Sequence, residues 1–333
     1  MDRALVWLSK RQKADGSFHS LDHLAKPRPP MRDEPGVTGL CIMAFLSRGH
    51  LPGEGPFGET MKRGVDFILG SQMEDGLLAR QRHLYHGAYS HGIGALVLSE
   101  LYGISKPEND LQHRRVIERA IDFSSKRYSQ PKAMPDDEGG WRYFRRHGMS
   151  DSDLSVTSWN VMFLRSAKNA GFEINVRLID EAVLYMQRLY DRNLRTFRYE
   201  IHSETPELNC SRGMAGAGVL SMAMAGMHQT EMAQEAARFI LKYPFDQYTK
   251  PAGYEEYPCY SAFYCSHAMF QMGGKFWCEF FPVLADSMLS AQMDDGSWIM
   301  REGADIEYGA AYMTALSVLA LTPPYQTLPI FQR

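Results

Sequence analysis

Cysteine is scarce in this chain, and what there is of it is scattered. Cys41, Cys210, Cys259, Cys265 and Cys278 are spread over 333 residues without a single CxxC pair. An odd, dispersed set reads as reduced thiols, which excludes a disulfide framework and a zinc knuckle. No run reaches the roughly 18 consecutive apolar residues of a membrane-spanning helix, so contact with a membrane is limited to peripheral contact. The first residues, MDRALVWLSKRQKADGSF, carry charges through their apolar part and lack a signal-peptide core. The expected location is therefore the cytoplasm, although a segment trimmed of its leader would read the same way. Basic residues do not outnumber acidic ones (36 Lys and Arg against 39 Asp and Glu, net charge −3), which argues against nucleic acid as a partner. No Pro- or Gly-rich linker interrupts the sequence, and one domain over 1–333 is expected.

What the chain does contain is methionine, 20 in all, and aromatics, as 17 Phe, 17 Tyr and 5 Trp. Met fills irregular gaps in helical cores and aromatics line apolar pockets, a pairing that suits a large helical protein with a cavity. A repeat organises these residues. ALVWLSKRQKADGSF (4–18), GVDFILGSQMEDGLL (64–78) and LADSMLSAQMDDGSW (284–298) each run an apolar stripe up to Gln12, Gln72 or Gln292, followed three residues later by Asp-Gly and then, after one intervening residue, by Phe18, Leu78 or Trp298. The spacing predicts a helix ended by a left-handed Gly, a Gln bonding the exposed backbone, and a large side chain folding back. Weaker copies are EGGWRY (138–143) and RTFRYE (195–200), so Phe18, Leu78, Trp141, Phe197 and Trp298 recur at steps of 60, 63, 56 and 101.

Amphipathic helices are predicted at 2–13, 58–73, 113–127, 176–191, 230–242 and 275–292, the last kinked or split by Pro282. Between them lie segments apolar all round, at 36–49, 87–103, 153–170, 211–227, 256–273 and 306–321. A helix with one wet face packs outside, and one apolar all round is buried on most sides. Strict alternation of the two classes predicts an all-α fold: six helical hairpins closed into an α6/α6 double-layered barrel, or α/α toroid.

The Q-x-x-D-G-S-[FW] copies resemble the QW-type repeat of the terpenoid cyclase and protein prenyltransferase superfamily, and the likeness covers almost the whole chain. It is strongest to single-toroid bacterial proteins with prenyltransferase or squalene-oxidase repeats, carried by GGWRY, DLSVTSWNVMFLRSAKNAGF, SHGIGALVLSELYG, AMFQMGG and TLPIFQR. Three patterns of the superfamily can be compared. Asp151-Ser152-Asp153-Leu154 stands where type II terpene cyclases carry D-x-D-D, so the resemblance implies Asp153 as proton donor and Asp151 as the neighbour that raises its pKa, with Leu154 in place of the last acid. Tyr257-Pro258-Cys259-Tyr260-Ser261 resembles the prenyltransferase zinc stretch, but Tyr257 and Tyr308 replace the Asp and His, and one thiolate is not a zinc site; no metal and no cofactor are expected. The thioester signature of complement-type toroids is missing.

Each candidate has a plainer reading. Ser150-x-x-Asp153 is a capping box with Ser150 at N-cap. His91 is either a base or ligand, or a hydrogen-bonded helix-end histidine. Glu100, buried late in an apolar helix, would need a partner such as Arg212 in the bore, or a surface position. Parallel inner helices would gather Asp33, Glu34, Tyr85, His86, Asp151, Asp153, Cys210, Arg212, Glu256, Cys259, Asp305, Glu307 and Tyr308 at one mouth, with Glu255 close by. Such a polar, aromatic-rimmed cavity is a default site, although helix starts are polar in any case. Trp141, Tyr143, Trp159, His91, Arg212, Cys259, Tyr260, Phe263, Tyr308 and Tyr312 are the expected contacts. Three functions compete: an enzyme or binder of an isoprenoid, acting by metal-independent protonation; a non-catalytic module whose rim or C-terminal LPIF segment meets a partner; and a carbohydrate-active α6/α6 barrel, which needs two facing carboxylates.

Overall fold

One-sided and all-round apolarity sort the helices into two layers. In the computed structural model, residues 1–18, 34–82, 84–105, 111–144, 150–248, 256–300 and 303–333 are described. Asp33 and Glu255 lie outside them, as does the side chain of Glu34. Among the described residues there are twelve α-helices. The outer layer is α1 (Asp2–Arg11), α3 (Gly58–Gly70), α5 (Leu111–Tyr128), α7 (Val176–Arg188), α9 (Glu231–Lys242) and α11 (Gly274–Ala291). The inner layer is α2 (Glu34–Leu46), α4 (His86–Ser105), α6 (Leu154–Asn169), α8 (Arg212–Met224), α10 (Pro258–Met272) and α12 (Gly309–Leu321). Helix α7 shows the outer logic: Leu178, Ile179, Ala182, Val183 and Met186 are buried while Arg177 is exposed. Helix α12 shows the inner logic, with every residue buried. The inner helices contact one another in the order α2, α4, α6, α8, α10, α12 and back to α2, which closes the ring.

The repeated corners are what hold one layer to the other. Gln12, Gln72 and Gln292 donate from Nε2 to the carbonyls of Gly16, Gly76 and Gly296, and Gln12 and Gln72 also reach Thr60 and Val116 on the next outer helix. The helix ends earlier than predicted. At Gln12 and Gln292 the backbone is already extended, and Gly16 and Gly296 take positive φ within the following turn, so glycine is not the cap itself. Gly296 (φ +95°) also needs its bare Cα: a Cβ would come within 2.6 Å of the Arg3 backbone carbon on α1, at the seam of the ring. After each corner, the bulky residue's N–H is received by an inner helix. Phe18, Trp141 and Trp298 donate to the hydroxyls of Thr38, Thr157 and Thr314, and Leu78 donates to His91 Nδ1.

Two details differ from expectation. Pro282 lies inside a continuous α11, so of the kink or split expected there the split does not occur. The C-terminal LPIF segment is not offered to a partner. Leu328, Ile330 and Phe331 are buried, with Phe331 stacked on His267 of α10 (ring centroids 4.0 Å apart) and the Ile330 N–H donated to Glu100 of α4. The tail thus occupies the bore at the C-terminal ends of the inner helices. Glu100 is bonded to Ser166 and Ile330, not to Arg212.

Candidate functional site

At the opposite end of the bore, where the inner helices begin, lies a cavity of about 520 Å³. Every inner helix contributes: Val37 and Leu40 from α2, Tyr89 and Ile93 from α4, Ser155 from α6, Met214 from α8, Tyr260 from α10 and Tyr312 from α12. Eight tyrosines line it, the others being Tyr85, Tyr143, Tyr199, Tyr257 and Tyr308. Among the described lining residues, Glu256 is the sole carboxylate. No group of three His, Cys, Asp or Glu side chains able to hold a metal forms among the described residues.

The tyrosine hydroxyls satisfy one another. Tyr143 and Tyr199 are 2.5 Å apart at their oxygens, Tyr89 donates to Ser155 Oγ (3.1 Å), and Ser155 meets the Tyr260 hydroxyl at 2.6 Å. Trp159 Nε1 donates to Tyr260 (2.7 Å). Paired hydroxyls lose less on leaving water, so a wall of this kind can face an apolar ligand with its rings. Burial pushes the Tyr89, Tyr199 and Tyr312 phenols well above their usual range and Tyr257 up to about 12, so all remain proton donors at neutral pH.

Asp153 sits behind this wall and does not line the cavity. Its N–H bonds the Trp141 carbonyl (3.0 Å), which fixes it at the head of α6, fully buried. Oδ1 accepts the Val156 N–H at 2.8 Å, so Asp153 is itself the N-cap; Ser150, expected there, has an Oγ with no partner among the described residues. Oδ2 faces Arg142 Nη1 at 3.7 Å, outside hydrogen-bond range. The Tyr199 phenol stands beside the carboxyl, but Oδ2 makes no formed hydrogen bond. Burial raises the Asp153 pKa to about 6; Arg142, the Val156 N–H and Tyr199 pull it down, and Glu200 pushes it up. Asp151 is not the raising neighbour. Its carboxylate turns to the Ala133 N–H (2.8 Å) and its own N–H to Asp137.

Of the other expected contacts, Tyr143, Tyr260, Tyr308 and Tyr312 line the cavity. Trp159 and Phe263 stack on each other one layer behind Tyr260 (centroids 5.6 Å, planes within 5°). Trp141 points its Nε1 to the Ser124 carbonyl, between the layers. His91 is structural: Nδ1 accepts from Leu78, so Nε2 carries the proton toward Ser124, and burial lowers its pKa to about 3. Arg212 donates to the carbonyls of Tyr243 and Pro244 and lies over the Phe245 ring, away from the cavity. Cys259 is buried with Sγ against Met300 and its N–H on Asp305. The sequence reading missed Tyr199 and Arg142. A signal was present: Trp141-Arg142-Tyr143 and Phe197-Arg198-Tyr199 are the same aromatic-Arg-Tyr triplet.

A tyrosine-lined bore in an α/α toroid is the class that fold and site define. Neither a family model nor a curated protein sequence matches the chain. Among solved structures it is similar along its whole length to the type II terpene cyclase MstE from Scytonema, solved in complex with geranylgeranyl dihydroxybenzoate (13% identity, 99% of this chain and 96% of that one, TM-score 0.65). It is also similar to the unsaturated glucuronyl hydrolase of Bacillus sp. GL1 (13%, 98% and 96%, TM-score 0.61). A third likeness is to a sugar epimerase from a ruminal bacterium (11%, 97% and 96%, TM-score 0.61). At these identities the likeness establishes the α/α toroid fold and nothing finer.

Proposed function

We propose that the chain binds a linear isoprenoid in the tyrosine-walled cavity and transforms it by protonating an alkene, with Asp153 as the proton source. The observation that carries this reading is the juxtaposition of a half-neutral buried acid near pH 6 with a wall of aromatic rings. Alkene protonation needs a carboxyl that keeps its proton near neutrality and electron-rich faces for the cation that follows. The volume, about 520 Å³, falls in the range of roughly 300–1,000 Å³ usual for small-molecule sites. The solved complex of MstE with a geranylgeranyl compound supports the ligand class. A sugar-cleaving reading, suggested by the glucuronyl hydrolase likeness, is weakened by Glu256 having no second carboxylate facing it among the described lining residues.

The reading as a non-catalytic binding module draws on one observation, that Asp153 Oδ1 caps its own helix. The two separate by experiment. All-trans isoprenoid alcohols of increasing length are titrated against the intrinsic tryptophan fluorescence, and product is then sought by mass spectrometry for the wild type and Asp153→Asn. Binding with turnover that Asp153→Asn abolishes is expected. Binding without turnover supports the module, and turnover unchanged in Asp153→Asn refutes the acid.

A further inference from the structure

Asp153 is cut off from the cavity by the rings in front of it, so a proton donor at that position needs a carrier. The groups that act on its carboxyl are Arg142, Glu200, Tyr199, Tyr143, Tyr185 and Lys132, with Tyr89, Tyr260 and Tyr264 acting only through space and the Val156 N–H bonded to Oδ1. Arg142 is permanently charged and cannot pass a proton on. The Tyr185 hydroxyl has no hydrogen-bond partner among the described residues and leads nowhere. Lys132 is spent on the carbonyls of Gly140 and Asp151. Tyr199 differs from all of these. Its phenol stands beside the carboxyl, whose Oδ2 has no formed hydrogen bond, and its hydroxyl meets that of Tyr143 at 2.5 Å, and both rings line the cavity. The Tyr199 carbonyl is fixed by the Leu154 N–H at the head of α6 (2.8 Å), which holds the phenol beside the acid.

We propose that Tyr199 and Tyr143 form a two-phenol relay that carries the Asp153 proton to the cavity. In the forward step the Asp153 O–H bond breaks as a new O–H forms on Tyr199. The proton Tyr199 held passes to Tyr143, and the proton Tyr143 held forms the C–H bond with the alkene. Both phenols end neutral, Asp153 ends as carboxylate, and the positive charge rests on the substrate. With the cavity empty, solvent protons recharge Asp153 by the reverse route. The Tyr143 ring packs on that of Tyr89, and the Tyr89, Ser155 and Tyr260 hydroxyls form a second bonded chain around the wall.

The catalytic step rests on the isoprenoid reading, but the relay itself can be tested without substrate. The carboxyl band of Asp153, assigned by its loss in Asp153→Asn, is followed by time-resolved infrared spectroscopy after a jump from pH 8 to pH 5. The relay requires protonation to slow by about a hundredfold in Tyr199→Phe, the scale on which a lost proton-transfer group acts, and to slow in Tyr143→Phe as well. Tyr185→Phe, which removes a buried phenol outside the chain, should follow the wild-type rate. Wild-type rates in both Tyr199→Phe and Tyr143→Phe would overturn the relay. So would slowing only in Glu200→Gln, or the absence of a titrating Asp153 band. Two tyrosine variants guard against one of them failing to fold. Failure here leaves the isoprenoid reading standing, because fluorescence titration tests that separately.

Discussion

Replacing Glu100 with Gln should stabilise this protein at alkaline pH and leave it nearly unchanged at acid pH. Glu100 is 2% exposed, and its carboxyl holds only the Ser166 hydroxyl and the Ile330 N–H. Burial lifts its pKa from 4.5 to about 7, against the two hydrogen bonds that lower it. The sign follows from linkage: the folded state binds the proton more tightly than the unfolded state does. Below about pH 4.5 the carboxyl is protonated in both states and costs nothing. Between about 4.5 and 7 stability falls as pH rises, and above 7 the full penalty applies. At 1.36 kcal/mol per pKa unit that penalty is of the order of 3 kcal/mol, an upper figure because the interior relaxes around a charge. Gln keeps a carbonyl for the Ile330 N–H and can donate to Ser166 Oγ, so it removes the charge without opening a cavity. Urea unfolding of wild type and Glu100→Gln at pH 5, 6, 7 and 8 measures the difference directly, with any contribution from Asp153 common to both. Curves that stay parallel across that range, or a variant less stable at pH 8, would refute the account of a buried, strained carboxylate clamping the C-terminal tail.

Other outcomes follow from the corners and the site. Gly296→Ala should cost at least about 1–3 kcal/mol in urea unfolding, from left-handed strain plus the clash with Arg3. Gly49→Ala, at φ +80° with nothing within 4 Å, should cost only the backbone part. Thr314→Val strands the buried Trp298 N–H and should lower stability by about 1–3 kcal/mol, which thermal unfolding would register. Any isoprenoid turnover should decline as pH rises through about 6, because the active acid form of Asp153 is lost there; a rate that climbs through pH 6 would contradict this assignment.

Much of the fold could be read from the sequence, because a ring of hairpins is written in local patterns. One-sided and all-round apolar helices alternate, and Gln-x-x-Asp-Gly marks the corners. The helix starts at one mouth followed from that alternation alone. What could not be read is depth. Asp153, Trp159 and Phe263 belong to the correct helices but stand a layer behind Tyr199 and Tyr260, and only the packed rings decide which residue reaches the cavity. His91 looked like chemistry because its role is normally filled by threonine: it receives the corner N–H as Thr38, Thr157 and Thr314 do. The pairing of Glu100 with Ile330 joins positions 230 residues apart, which no local pattern encodes.

The central claim is that Asp153 hands a proton to an isoprenoid held in the bore. Incubation of the protein with an all-trans isoprenoid alcohol in D₂O, followed by mass spectrometry of the product, tests it most directly. The account predicts one carbon-bound deuterium per cyclised or rearranged product with wild type, and no product with Asp153→Asn. Product without deuterium, or equal labelling by Asp153→Asn, would contradict it.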